Sequence, residues 1–360
     1  MAKIVTVYRS EKRRFVLTDM SYIRWLKISE ALAKWGHQVD LATNEGGLLG
    51  RQSPVSMGKN LKRVPLSKVK WEQYDVVKTL FHRGFETLEK YGGTRHPYII
   101  SKLGSVVDKQ DRDGIYFYGE VRKWLYAIQE KINKVSRRIT VLTRESQKLW
   151  ESCFGEKGNT LLVPGAADSV TPPLLRDPYP QSFKWKCLFS GNLYTRPSQA
   201  EANQVLQEKI NRLGQLLWNR KIRLFVMAGG DANRLNSKWV TYLGPVPYEK
   251  TWDYFYFAHA GIVLALGEHP NQNESTKIYH YLRAGLPVIC ESGFPNENVI
   301  EEAGLGFVVE NGNLDLMAEK IEEAVRSNWD KQHAIQYILS SHTWEKRAEK
   351  YHDLFKTDFN

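Results

Sequence analysis

Cysteine is scarce in this chain of 360 residues, which contains only Cys153, Cys187 and Cys290. An odd, scattered set argues against a disulfide framework or a zinc site, and it favours a reducing cytoplasm. Long apolar runs are missing too, since none approaches the roughly 20 residues that a membrane span needs. The first residues also lack the apolar core of a signal peptide. We therefore expect a cytoplasmic globular protein.

Positive charge is concentrated in the first half of the chain. Residues 1–180 hold 31 Lys and Arg against 19 Asp and Glu, a net charge of +12, whereas residues 181–360 hold 20 against 21, a net charge of −1. This excess predicts that the first half meets an anionic partner: a membrane surface, a nucleic acid or an acidic small molecule. The alternative is a solvated basic face without a partner.

Short apolar segments alternate with helical patterns along the whole chain, which is long enough for two domains. The alternation predicts parallel sheets with helices on both faces, an α/β fold. Four prolines between residues 168 and 183 predict a linker between two such series. The predicted strands lie at 3–8, 38–43, 74–81, 97–103, 138–143, 160–164, 185–190, 222–227, 239–244, 261–266 and 306–310, and the predicted helices at 20–36, 119–138, 198–219, 248–260, 313–326 and 343–355.

One stretch, NESTKIYHYLRAGLPVI (273–289), combines a polar helix start with a glycine stop and an apolar strand. Ser275 or Thr276 can cap the helix, and its first N–H groups and dipole favour an anion. Lys277 places a cation where the helix itself does not favour one. His280 follows one turn later on the same face. The alternative is that Ser275 only caps the helix and His280 only packs.

Other loops follow predicted strands, and ligands bind at such carboxyl ends in open parallel sheets. LFSGNLYTRPSQ (188–199) offers Gly191 for close backbone approach and Arg196 for a phosphate. Gly229 closes LFVMAGGD, which lacks the dinucleotide-binding spacing. The turn GPVP (244–247) fixes the backbone before another helix.

In this order the stretches resemble the GT-B glycosyltransferases, close to family 4. The similar segments are LAKWGHQVDLAT, LLVPGAAD, LFSGNLYTR, WVTYLGPVPYEKTWDYFYFAHAGIVLAL and STKIYHYLRAGLPVI, and together they cover most of residues 20–310. The resemblance implies two Rossmann-like domains facing a cleft. It implies an N-terminal acceptor-binding domain (1–170), a C-terminal nucleotide-sugar-binding domain (171–340) and a C-terminal helix (341–360) that packs back toward the first domain.

The resemblance also implies a UDP- or GDP-linked sugar donor and no metal. The diphosphate would lie on the helix start at Ser275 and Thr276 with Arg196 and Lys277 as cations, and the backbone around Val246 would hold the base. His280 stands where the family has a glutamate that holds the ribose. The full set of implied donor-binding residues is Gly191, Asn192, Arg196, Gly229, Val246, Asn273, Ser275, Thr276, Lys277 and His280.

For catalysis, the resemblance points to His82 and Asp108, which occupy loops after middle strands of the first half. The family's other donor-site acid falls on Gln272, so Glu274 or Glu268 is the expected substitute. The family is retaining without a clear protein nucleophile, so we expect positioning and charge stabilisation to be the protein's main work. DRD (111–113) looks like a metal motif but sits in a polar loop, and we interpret it as solvated.

The leading hypothesis is a glycosyltransferase with an anionic or membrane-associated acceptor, as in envelope polysaccharide or glycolipid assembly. Peripheral contact with the inner membrane face would then involve the basic half, including the helix 119–138, although core packing also explains the apolar face of that helix. One alternative is a phage-type DNA base glucosyltransferase whose basic half tracks phosphates. Another is a non-catalytic protein that binds a nucleotide sugar, and an epimerase on the same fold is a further option.

Overall fold

A computed structural model describes residues 1–9, 20–43, 54–109, 119–172, 177–266 and 273–359. The chain forms two compact units. Within the described ranges, unit 1 comprises the residues of 1–112, 119–164 and 344–360, and unit 2 comprises those of 165–343. The basic segment 10–19, the DRD sequence, Glu268 and Gln272 lie outside the described residues.

Unit 1 is built on a sheet whose strand order is β3-β4-β2-β1-β5-β6-β7-β8. Every described pair is parallel except β3–β4, which is antiparallel. Its elements are β1 (Lys3–Val7), α1 (Met20–Lys34), β2 (Gln38–Thr43), β3 (Val55–Gly58), β4 (Leu61–Pro65), β5 (Val76–Leu80), α2 (Phe81–Lys90), β6 (Ile99–Lys102), α3 (Gly119–Val135), β7 (Arg138–Val141), α4 (Arg144–Phe154) and β8 (Thr160–Leu162).

The central strands of unit 1, β1, β5, β6 and β7, form because their apolar runs are buried on both faces, as a covered parallel sheet requires. One core cluster joins Phe85 of α2 and Ile128 of α3 to Ile139 of β7 and Trp150 of α4. The strand order reverses at β1, which lies between β2 and β5. This reversal creates a crevice at the carboxyl ends of β1 and β5, the usual place for a ligand in such sheets.

Unit 2 is built on a sheet with the order β11-β10-β9-β12-β13-β14, in which all described pairs are parallel. Here the order reverses at β9, between β10 and β12, so a second crevice lies at their carboxyl ends. Its elements are β9 (Trp185–Asn192), α5 (Ala200–Asn219), β10 (Ile222–Gly229), β11 (Val240–Tyr242), α6 (Tyr248–Phe257), β12 (Ala260–Val263), α7 (Thr276–Arg283), β13 (Val288–Glu291), α8 (Asn298–Glu302), β14 (Gly306–Val309), α9 (Leu314–Arg326) and α10 (Lys331–Ser341). The predicted α/β architecture with two parallel-sheet domains is confirmed.

The last helix, α11 (Trp344–Phe359), belongs to unit 1. It packs along α1, where Lys34 and Glu345 form an ion pair of 2.7 Å. At its far end the Arg138 guanidinium donates to the Asp358 carboxylate, with Nε 2.8 Å from Oδ2. The chain therefore returns from unit 2 to complete the fold of unit 1.

Candidate functional site

Glycines lie at or next to the carboxyl ends of β9 and β10, where the crevice of unit 2 is expected. Their register places Asn192 beside Gly229. The two following loops touch, because Leu193 N–H donates to Gly229 O at 2.8 Å. Gly230 has a φ of +118°, and a Cβ there would lie 1.6 Å from Leu193 O, so glycine alone fits. The predicted donor residues Gly191, Asn192 and Gly229 thus share one edge of the sheet.

Lys277, in the first turn of α7, points at this edge. Its Nζ lies 4.7 Å from the centre of the Phe189 ring. A Cβ added at Gly191 would lie 3.4 Å from the same nitrogen, so the glycine leaves the ammonium group room. Burial lowers the pKa of Lys277 to about 8. Among the described residues, no carboxylate forms an ion pair with it.

The start of α7 is held from outside the helix. Ser275 is the N-cap residue, but its side chain makes no capping hydrogen bond. Instead, the Asn296 side chain accepts from Ser275 N–H at 2.8 Å and donates to Ser275 O at 3.1 Å. Ser275 and Thr276 are both buried. The N–H of Ile278 donates to Ser275 O at 3.2 Å. The positive end of the helix dipole lies at this terminus and favours an anion.

The other predicted donor residues lie in the loops around the carboxyl ends of β9 and β10. Arg196 is exposed after β9 and borders a cavity of about 410 Å³ that Asp231 and Arg234 also line. Val246 is half-buried after β11, and its neighbour Pro245 lies 3.5 Å from the position of a Cβ on Gly229. Asn273 is half-buried just before α7.

His280 lies deeper, between α7 and α6. Its Nε2 is 3.0 Å from the hydroxyl of Tyr248, and its ring is flanked by Trp252 and Phe255 with centroids 5.6 and 6.3 Å away. The imidazole is almost fully buried. The structure therefore places His280 in an aromatic cluster with its Nε2 hydrogen-bonded.

Glu274 precedes the N-cap and is buried. Its Oε1 accepts from the backbone N–H of Gly165, and its Oε2 accepts from the hydroxyl of Tyr279 at 2.9 Å. Both oxygens of this predicted catalytic carboxylate are thus engaged by the protein.

Sequence reasoning missed a buried ion pair beside this crevice. The Glu291 carboxylate, fully buried at the end of β13, accepts from Lys209 Nζ of α5 at 2.8 Å and from Ala265 N–H at 2.6 Å. It also accepts from Gly312 N–H at 2.9 Å. The pair anchors the backbone that follows β12. The only sequence signal was an acid ending an apolar strand.

The other predicted catalytic residues lie in unit 1. His82 lies in the first turn of α2, so its predicted loop position is wrong. Its neighbour Phe81 has a φ of +57°, which is strained for a bulky residue, and follows the end of β5. His82 Nε2 lies 3.3 Å from Gln129 Oε1 of α3, and burial lowers the pKa of the imidazole to about 4. Gln129 also exchanges two hydrogen bonds with the backbone of Val107.

Asp108, next along the chain, accepts from Arg122 of the same helix α3 at 2.8 Å. The helix α3 therefore fixes both predicted residues. Across the described ranges, no cluster of three or more His, Cys, Asp or Glu side chains is suited to a metal ion. No described helix is both long enough and apolar enough to cross a membrane.

Residues 215–340 match the model of a protein family described as Glucosyltransferase 3-like, C-terminal domain. The matched range contains α6, α7 and the aromatic cluster around His280. No curated protein sequence matches the chain.

Several solved structures are similar over almost the full length. Sucrose-phosphate synthase from Thermosynechococcus elongatus has a TM-score of 0.70 at 12% identity, covering 99% of each chain. HepE from Anabaena, in complex with UDP and glucose, has a TM-score of 0.69 at 10% identity, covering 99% of this chain and 100% of that one. AviGT4, a glycosyltransferase involved in avilamycin A biosynthesis, has a TM-score of 0.65 at 14% identity, covering 99% and 97%. The predicted glycosyltransferase fold is confirmed.

Proposed function

We propose that this protein is a glycosyltransferase that takes a sugar from a nucleotide-diphosphate sugar bound at the crevice of unit 2. The observation that carries the proposal is the position of Lys277. Its ammonium group lies in the first turn of a helix, next to the strand where the sheet order reverses, and it has no carboxylate partner among the described residues. A diphosphate supplies the charge that this site lacks. The family match over residues 215–340 includes this helix.

A UDP-linked donor is the first choice within this class. The structure of HepE in complex with UDP and glucose is similar to this chain over its whole length. We place the diphosphate against Ser275, Thr276 and Lys277, with Arg196 at the outer side. The glycines at 191 and 229 allow the donor to approach the backbone, and the turn at Val246 holds the base. Asn192, Asn273 and His280 complete the proposed donor site.

The proposed reaction proceeds with retention. The bond between the anomeric carbon and the diphosphate oxygen breaks while the acceptor hydroxyl oxygen attacks on the same face. The hydroxyl proton passes to the departing diphosphate, whose charge Lys277 and the first N–H groups of α7 stabilise. This scheme needs neither a metal nor a protein nucleophile. His82 and Asp108 of unit 1 remain proposed contacts to the reacting groups.

We propose an anionic or membrane-associated acceptor, because the first half of the chain carries a net charge of +12. A DNA acceptor is the second candidate on the same charge, and it predicts affinity that falls steeply with salt. A protein that binds the donor without turnover would match the non-catalytic alternative.

The test is release of nucleoside diphosphate from a panel of UDP- and GDP-sugars, with lipid extract, with modified DNA and with neither.

Binding of UDP is measured in parallel by calorimetry for Lys277→Met and for Lys238→Met, an exposed lysine at the opposite edge of the sheet. We expect Lys277→Met to weaken UDP binding at least about tenfold, the usual scale of one lost charged hydrogen bond, and Lys238→Met to bind as the wild type does. Equal UDP affinity in both variants would refute the assignment of the site.

A further inference from the structure

Glu274 links the start of α7 to the segment where the chain enters unit 2. Its Oε1 accepts from the N–H of Gly165, which lies 109 residues earlier in the chain and is the first residue of that segment. Its Oε2 accepts from Tyr279 at 2.9 Å, one helical turn into α7. The side chain is 8% exposed, so little of the carboxylate faces solvent.

The hydrogen bonds of Glu274 form a first clamp between the start of α7 and segment 165–169. A second clamp joins the opposite end of α7 to the same segment. The Arg283 guanidinium donates to Asp168 O at 3.0 Å from Nε and to Ser169 O at 2.8 Å from Nη2. Arg283 is the last residue of the helix. Segment 165–169 and α7 are therefore fastened to each other at both ends, by an acid at the start and a base at the end.

The glycine at 165 is adapted to the first clamp. A Cβ there would lie 2.4 Å from Glu274 Oε1 and 3.2 Å from Thr276 Oγ1. Any larger residue must push the carboxylate away from the N–H that it accepts from. The close contact between the Glu274 carboxylate and Gly165 thus requires a glycine at position 165. It lies beside Thr276, in the first turn of α7.

We propose that Glu274 is a positioning residue: it fixes the start of α7 against segment 165–169 so that the first turn faces the donor diphosphate, and it neither attacks the sugar nor accepts the acceptor proton. This inference rests on the proposed function and assigns a different role to the residue that sequence reasoning placed among the catalytic ones. Both oxygens already accept hydrogen bonds from the protein. A carboxylate at a helix start is also electrostatically favourable for that helix.

The charge of Glu274 separates the two roles. Glu274→Gln keeps an oxygen for Gly165 N–H and an amide next to Tyr279, whose hydroxyl can turn to accept, so the positioning role survives. A nucleophile or proton acceptor would be lost in Glu274→Gln as fully as in Glu274→Ala. We expect kcat/KM for the donor to fall about 100-fold in Glu274→Ala, the scale of a misplaced site. In Glu274→Gln we expect a fall of less than about fivefold, which is no more than the smallest cost of a broken buried hydrogen bond. Equal, severe losses in both variants would overturn the positioning role.

Gly165→Ala supplies the partner variant. It should reproduce the loss seen in Glu274→Ala, and the double variant should be no worse than either single one, because both break the same contact. Additive losses would show that the two residues act separately. Thermal melts of all four proteins identify any variant that fails to fold.

Amide hydrogen exchange tests the contact without any turnover. In the free protein, the peptide over residues 273–280 should exchange faster in Glu274→Ala than in the wild type, and Glu274→Gln should match the wild type. Unchanged exchange in Glu274→Ala would contradict the inference. A wild-type protein that neither binds nor turns over any nucleotide sugar would refute the proposed function instead, and the exchange result would still decide whether Glu274 positions the helix.

Discussion

The ammonium nitrogen of Lys277 lies 4.7 Å from the centre of the Phe189 ring, across the gap that Gly191 leaves open. Burial lowers the pKa of this lysine to about 8. Below that pH the group is a cation facing a helix start, and above it the charge is lost. We therefore expect the affinity for UDP, measured by calorimetry, to decrease as the pH rises from 7 to 9.

Lys277→Arg separates this effect from other titrations. A guanidinium stays charged throughout that range, so the variant should bind UDP with little change between pH 7 and pH 9, even if its absolute affinity is lower. A wild-type protein whose UDP affinity is constant to pH 9 would contradict the expectation.

Gly230 and Gly229 should respond very differently to the same substitution. Gly230 has a φ of +118° and its Cβ would lie 1.6 Å from Leu193 O, whereas a Cβ on Gly229 would meet only Pro245, at 3.5 Å. We expect Gly230→Ala to destabilise unit 2 by more than about 2 kcal/mol, because both backbone strain and a backbone clash contribute. Gly229→Ala should cost less than about 1 kcal/mol. Urea unfolding of both variants measures the difference, and similar midpoints would be inconsistent with this geometry.

Local patterns in the sequence were enough to predict most of the strands and the first turn of α7, because apolar runs and helix starts are short-range signals. The prediction missed strands β3 and β4 and helices α2, α4, α8 and α10. The residues of β3 are half-buried or exposed, and α10 buries only Ala334 and Ile338, so neither has a clear apolar period.

The contacts of the candidate site were harder to predict. Glu274 meets Gly165 across 109 residues, and Ser275 meets Asn296 across 21. The order of the strands in the sheet brings such partners together. A short stretch of sequence does not contain that information. The sequence placed His280 on the face of Lys277, but the Tyr248 hydroxyl that binds it comes from another helix.

His82 should make unit 1 sensitive to acid. Burial lowers the pKa of its imidazole to about 4, below the ordinary value of about 6.5. Between those pH values the imidazole is protonated in the unfolded chain and neutral in the folded protein. The free energy of unfolding therefore decreases as the pH falls through this window. His82→Gln removes the titration and leaves an amide near Gln129. We expect the variant to lose fewer degrees of Tm than the wild type between pH 7.5 and pH 5. Parallel losses would show that His82 contributes little.

Lys78, in the middle of β5, is 1% exposed, and its ammonium nitrogen lies 5.2 Å from the centre of the Tyr351 ring of α11. Burial lowers its pKa to about 8, against about 10.4 in an unfolded chain. The buried ammonium charge of Lys78 therefore lowers the free energy of unfolding at neutral pH. This cost is relieved as the pH rises from about 8 to about 10, because the folded protein releases the proton first.

Replacing Lys78 by methionine keeps most of the volume and removes the charge. We expect Lys78→Met to raise the free energy of unfolding at pH 7 by up to about 3 kcal/mol, which is the pKa difference converted at 1.36 kcal/mol per unit, less the lost contact with the Tyr351 ring. The advantage over the wild type should shrink between pH 8 and pH 10. Lys59→Met, at an exposed position of the same unit, should change the unfolding free energy little at either pH. If Lys78→Met melts below the wild type at pH 7, the ammonium group stabilises unit 1 and its burial is compensated by the ring.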